Sequence, residues 1–122
     1  MSSLKDSVPR VDATITALEA SSVSRATPGY LVTAFGRIDS TAATATYYLQ
    51  FYDSATVPAD GAVTFLTAPI KIQHTILTDS TIDLDLRREY IAANNGVSWA
   101  ISSTEFTKTV TGAIASLTVL FK

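Results

Sequence analysis

Short stretches of alternating apolar and polar residues recur along this chain, and each meets turn residues before it reaches helical length. Residues 47–61, YYLQFYDSATVPADG, show the pattern most fully. Ala45, Tyr47, Leu49 and Phe51 fall on one side of a pleated strand, and Tyr48, Gln50 and Tyr52 on the other. The DSATVPADG end then reads as a loop, with Pro58 fixing φ and Asp60-Gly61 signalling a turn.

The same reasoning predicts the neighbouring elements. Val11 to Ala17 alternates and predicts a strand, with a helix from Asp12 through ITALEA as its competitor; Thr14 and Thr16 favour the strand. SSVSRATPG, residues 21–29, is rich in turn residues and predicts a loop. A strand follows over Tyr30 to Asp39, where Gly36 suggests a bulge or a close backbone approach. Residues 62–73 predict another strand, with Leu66, Ala68, Ile70 and Ile72 on one side and Pro69 marking an edge or bulge. Ile82, Leu84 and Leu86 alternate with Asp83 and Asp85. Residues 87–92 fit either a short strand or a helical turn. Asn94-Asn95-Gly96 is a strong turn, after which Val97, Trp99 and Ile101 point to a core. Short strands close the chain over Thr107 to Thr111 and over Ala115, Leu117, Val119 and Phe121.

About eight or nine short strands at this spacing predict an all-β, antiparallel sandwich or barrel. Composition agrees. Polarity comes from 18 Thr and 13 Ser, and only 16% of residues are charged, against about 25% in a typical globular domain. A length of 122 residues fits one domain with its own core. The expected organisation is an N-terminal arm over 1–10 and a β-sandwich over 11–122. The arm is either a frayed terminus or a segment that orders on a neighbouring subunit.

Several functions fit the composition poorly. A net charge of −2 with scattered Lys and Arg speaks against a nucleic-acid partner. The absence of cysteine rules out disulfides and thiolate metal sites, and fits a reducing cytosol. No apolar run nears the roughly 18 residues of a membrane helix, and MSSLKDSVPR lacks the apolar stretch of a signal peptide. His74, the sole histidine, has no nucleophile motif beside it and is expected at a turn or on the surface. Asp83 and Asp85 share a strand face and are a weak candidate for Ca²⁺; the same alternation solvates an edge strand. No motif singles out a carboxylate pair for glycoside hydrolysis. Neither an enzyme nor a cofactor is therefore expected.

Tyr48, Gln50 and Tyr52 are the most informative candidates. Their strand already has one apolar side, so this second side is either packed within its own sheet, presented to another subunit, or stacked on a ligand. The expected interface residues are Tyr48, Gln50 and Tyr52, joined by Arg87 and Arg88 as ion-pairing residues.

Three segments carry a family resemblance: YYLQFYDSATVPADGAV, then APIKI, then NGVSWAISSTEFTKTVTGA. They resemble small structural proteins of tailed bacteriophage virions, in which a YLQLFDSATVPADG-like strand and turn precede an SST-x-x-TKT segment. The likeness covers residues 47–70 and 95–113, and departs from the pattern over 88–94, where a shorter connection is usual. It implies a jelly-roll-like sandwich; an immunoglobulin-like order also fits the strands themselves. It further implies a non-enzymatic protein of the virion, assembled in the host cytoplasm, that decorates a capsid or tail. The implied partners are other copies of itself, as a trimer, and the major capsid or tail protein, with no nucleic acid and no membrane. The alternative is a receptor- or carbohydrate-binding module of a head or tail fibre.

Overall fold

The structure, a computed structural model, describes residues 12–85, 90–109 and 111–122. Eleven strands and no helix occur among the described residues. They are β1 (Asp12–Glu19), β2 (Ser21–Arg25), β3 (Gly29–Ile38), β4 (Ala45–Tyr52), β5 (Gly61–Ala62), β6 (Ile70–His74), β7 (Ser80–Asp85), β8 (Ile91–Ala93), β9 (Val97–Ser102), β10 (Thr107–Lys108) and β11 (Ala115–Phe121).

The pairing follows one plan. β1 lies antiparallel to β11, β2 to β9, β3 to β7 and β8, and β4 to β6. The chain is thus a long hairpin that turns back between β4 and β6. Two further pairings, β11 with β3 and β9 with β4, roll that hairpin into two sheets. One has five strands in the order β1-β11-β3-β7, with β8 also on β3, and the other has four in the order β2-β9-β4-β6. Successive rungs of the hairpin alternate between the two sheets, which makes the chain an antiparallel β-sandwich. A small ribbon of β5 and β10 is added outside them.

Both sheets contribute to one core. Leu31, Ala34 and Ile38 of β3 and Leu117, Val119 and Phe121 of β11 pack in a cluster with Leu49 and Phe51 of β4 and Trp99 and Ile101 of β9. Alternation put Leu49, Phe51 and Trp99 there, as expected. Gly36 also fulfils its reading: a Cβ on it would lie 1.9 Å from the Ser116 carbonyl oxygen, so only glycine lets β3 approach β11 so closely.

Three expectations need correcting. Residues 21–25 form β2 rather than a loop, because β9 offers them a full antiparallel partner. The single strand expected over 62–73 is two short strands with an irregular stretch between them, where Phe65 bridges to Tyr52. His74 is buried rather than superficial. Its Nε2 lies 3.1 Å from the Ala42 carbonyl and its Nδ1 2.6 Å from the Ser80 hydroxyl. A carbonyl only accepts, so Nε2 donates to Ala42, and in the neutral ring Nδ1 accepts from Ser80. The histidine therefore ties β6 to the β3–β4 loop and to β7.

Candidate interaction surfaces

Two sheets give two outer faces, and the chain treats them differently. On the four-stranded sheet the outward side of β4 carries Tyr48, Gln50 and Tyr52, the expected interface stripe. The structure corrects that expectation for two of the three. Gln50 is 0% exposed and Tyr52 1%. The cover is the chain's own segment after β9. The Gln50 amide Nε2 donates toward the carbonyls of Thr104 at 2.8 Å, Glu105 at 3.1 Å and Thr107 at 2.9 Å. Its Oε1 accepts from the Tyr52 hydroxyl at 2.6 Å. The stripe was hard to place because a lone β4 shows two sides but not the loop, more than fifty residues later in the chain, that closes over one of them.

That loop is knotted by hydroxyls. The Ser102 Oγ accepts from the backbone N–H groups of Thr104 at 3.1 Å and Thr109 at 3.0 Å. It donates toward the Thr104 carbonyl at 2.9 Å or the Thr107 carbonyl at 3.1 Å. The Thr104 hydroxyl meets those of Thr107 and Thr109, each at 2.8 Å. The buried Lys108 ammonium pairs with Asp60, which pins β10 to the β4–β5 loop. The Tyr52 ring stacks on Phe65 with centroids 6.4 Å apart. Burial, followed by the nearby Asp60 charge, pushes the Tyr52 phenol well above its usual range. Only Tyr48 of the stripe keeps partial exposure, between Ser102 on β9 and Lys71 on β6. Arg87 and Arg88 lie outside the described residues, as does the arm over 1–10.

The DSATVPADG loop is anchored at its first residue. Asp53 accepts from the backbone N–H groups of Asn94 at 3.0 Å, Asn95 at 2.8 Å and Gly96 at 3.4 Å. The bonds from Asn94 and Asn95 hold its carboxyl below the ordinary carboxylate value, against a smaller opposing effect of burial.

The outer face of the five-stranded sheet has no such cover among the described residues. Ile15 of β1 stands opposite Thr118 of β11, Thr118 opposite Phe35 of β3, and Phe35 opposite Asp83 of β7. These four residues form one row across the sheet. Ile15 is 75% exposed and Phe35 48%. β1 is inverted relative to an ordinary edge strand: Ile15 points out while Thr16 is buried and Thr14 donates its hydroxyl to the Ser24 carbonyl at 2.8 Å. In β3 the inversion has a visible cause. Leu31 pairs with Phe121 and Thr33 with Leu120, leaving Val32 as an extra residue, a β-bulge. Without it, strict alternation from the buried Leu31 would turn Phe35 inward. With it, Ala34 and Ile38 enter the core and Phe35 faces out.

This row borders a shallow hollow of about 610 Å³, whose lining includes Phe35, Thr118, Arg37, Asp79 and Asp83. The Arg37 guanidinium bridges Asp39 and Asp79 at 3.1 Å each. The β6–β7 turn, which leads to Asp79 of that lining, exposes Ile76 and Leu77. Among the described residues no three His, Asp or Glu side chains gather as metal ligands would. Sequence reasoning missed Ile15, Phe35 and Leu77 as surface residues; the exposure of Phe35 depends on a bulge and that of Leu77 on a turn conformation, neither of which periodicity encodes.

Compared with known proteins, the chain matches no family model, no characterised protein and no solved structure.

Proposed function

We propose that this chain is a non-enzymatic structural protein of a tailed bacteriophage virion, which decorates and stabilises the capsid or tail through self-association and contact with the shell protein. The observation that carries the reading is the outer face of the five-stranded sheet, without cover among the described residues, where β1 turns Ile15 outward in one row with the exposed Phe35, across Thr118 of β11. Large apolar side chains grouped on one uncovered sheet face mark a protein-contact surface. The resemblance over 47–70 and 95–113 supplies the setting: a particle in which many copies act together. Repetition makes modest contacts sufficient, since each copy bound raises the effective concentration of the next contact.

Cryo-electron microscopy of particles bearing this chain tests the reading. Many symmetry-related copies on a shell or tail tube, with the Ile15–Phe35 face against protein, is the expected result. A few copies at a fibre tip, or that face in solvent throughout, would overturn it. A glycan array adds a second arm: specific binding of a sugar would favour a receptor-binding module over decoration.

A further inference from the structure

Asn94 and Asn95 are the only asparagines of this chain, and Asn95 alone is followed by glycine. Asparagine is a thermolabile residue. Its amide is lost most easily before glycine, where no side chain hinders attack by the next backbone nitrogen. The fold requires that glycine: a Cβ on Gly96 would lie 2.5 Å from the Arg25 carbonyl oxygen and 3.1 Å from the Ala55 Cα. Asn95 itself is exposed. The restraint on this turn is Asp53. Of the three bonds that its carboxylate accepts, the one from Gly96 is the longest, at 3.4 Å. The attacking nitrogen must shed its proton and gain negative charge. The Asp53 carboxylate both holds that proton and repels that charge.

We propose that Asn95 is a deamidation site, slowed by Asp53, and that its product frees the loop after β4 from the Asn94-Asn95-Gly96 turn. The only co-reactant is water. A base from solvent takes the Gly96 N–H proton, and the nitrogen attacks Cγ, the side-chain carbonyl carbon of Asn95. The Gly96 N–Cγ bond forms, the Cγ–Nδ2 bond breaks, and Nδ2 leaves as ammonia, which gives a five-membered succinimide. Water then opens the ring. Cleavage at Cγ leaves aspartate. Cleavage at the backbone carbonyl of residue 95 leaves isoaspartate, whose main chain runs through Cβ and Cγ. Either product places a new negative charge on a residue whose N–H Asp53 binds at 2.8 Å. Isoaspartate also inserts a methylene between the two N–H groups of residues 95 and 96 that Asp53 Oδ1 joins. The stretch that loses its anchor is 53–56: Ala55 packs closely on Gly96, and the Thr56 carbonyl accepts from the Ser98 hydroxyl at 3.3 Å.

Incubation of the full chain in mildly alkaline buffer tests this, with ion exchange to separate the more acidic product and peptide mass mapping to place it. Folded wild type should convert at Asn95 and not at Asn94, and more slowly than the same chain unfolded in urea. Asp53→Ala removes the restraint without adding an amide. It should convert about fivefold faster, the factor expected for losing one long, partly solvated bond to a charged group. Asn95→Gln, whose ring would be six-membered, should keep its charge. His74→Phe serves as the control for lost stability: His74 pairs with Ala45 at the start of β4, whereas Asp53 follows its end. That variant should convert at the wild-type rate. In the isolated product, hydrogen exchange of the backbone amides over 53–56 should be faster than in fresh protein.

Each part can fail separately. Folded wild type that stays intact while the urea-unfolded chain is converted removes Asn95 as a site in the native protein. An Asp53→Ala rate equal to or below that of wild type overturns the restraint. The same acceleration in His74→Phe and Asp53→Ala shows that global unfolding, and not Asp53, sets the rate, which overturns it as well. Unchanged exchange over 53–56 in the product overturns the release of the loop. None of these outcomes bears on the self-association reading above, which rests on the other sheet.

Discussion

The two outer faces of this sandwich invert the usual distribution of side chains. Over the four-stranded sheet, polar groups are buried and bonded: Gln50, Ser98 and Ser102 are all 0% exposed. Over the five-stranded sheet, apolar groups are exposed: Ile15 and Phe35 stand in solvent. The first face is closed by the chain itself, through a loop that returns carbonyls to a side-chain amide. The second has no such cover among the described residues. Buried amides that find every partner specify one arrangement and become costly when broken, whereas exposed apolar groups cost the monomer little and gain only on association. The difference teaches that polarity read along one strand says little about exposure; what lies above the strand decides it.

The comparison is broken most severely at Gln50. Gln50→Leu removes the amide that serves the carbonyls of Thr104, Glu105 and Thr107 and the Tyr52 hydroxyl, while keeping much of the volume. Buried groups left without partners are the expensive outcome, so a loss of about 3 kcal/mol is expected, read from the urea midpoint. A loss under about 1 kcal/mol would mean that the 103–109 segment is not held by this residue. His74→Phe comes next. It retains an aromatic ring near Tyr47, whose centroid lies 6.0 Å from that of His74, but strips the bonds to the Ala42 carbonyl and Ser80 hydroxyl. The expected loss is about 2 kcal/mol, again from denaturant unfolding. An unchanged midpoint would show that those bonds are replaced by water as the end of the sandwich relaxes.

What was legible in the sequence divides along the same lines. Alternation in β4, β9 and β11 identified the core sides, because each has a clean period of two and no bulge disturbs the faces of Leu49, Trp99 and Leu117. The Asn94-Asn95-Gly96 turn was legible from its residue types, and Gly36 from its isolation in a strand. The outward faces were not. The stripe Tyr48-Gln50-Tyr52 looked available because the loop that buries it lies far along the chain, and no local pattern announces a long-range cover. Strict alternation started at Leu31 turns Phe35 inward, whereas the extra residue at Val32 reverses the faces along β3 and turns it out. Residues 21–25 looked like a loop because Ser and Arg carry weak strand preference, and only pairing with β9 makes them a strand.

A smaller effect is expected at Asp53, where the closed side of the molecule meets acid. Its carboxyl sits below its unfolded value of about 3.9 because the folded state supplies backbone donors from Asn94 and Asn95. A depressed folded pKa contributes stability that is present above the unfolded value and is lost as pH falls through the folded one. Asp53→Asn should cost about 1 kcal/mol at neutral pH, the low end for bonds to a charged group because the carboxylate is partly solvated. It should also flatten part of the acid limb of stability below pH ~4. The carboxyl of Asp39, lowered by its bonds from Thr41, leaves the remainder of that limb in place. Parallel acid limbs for wild type and variant would remove Asp53 as an anchor of the loop.

The smallest effect on the monomer, and the sharpest statement of the contrast, belongs to the open face. Ile15→Thr together with Phe35→Thr replaces two exposed apolar side chains by residues that suit strands. If the face is built for contact and not for folding, unfolding of the dilute monomer should shift by no more than about 0.5 kcal/mol. Under the same conditions Gln50→Leu should lose several times that amount. At high concentration the order should reverse: the double variant should lose association while Gln50→Leu, wherever it remains folded, retains it. A double variant that costs the monomer about 2 kcal/mol would mean that Ile15 and Phe35 pack on their own sheet strongly enough to belong to the fold. The distinction between a closed and an open face would then be one of degree.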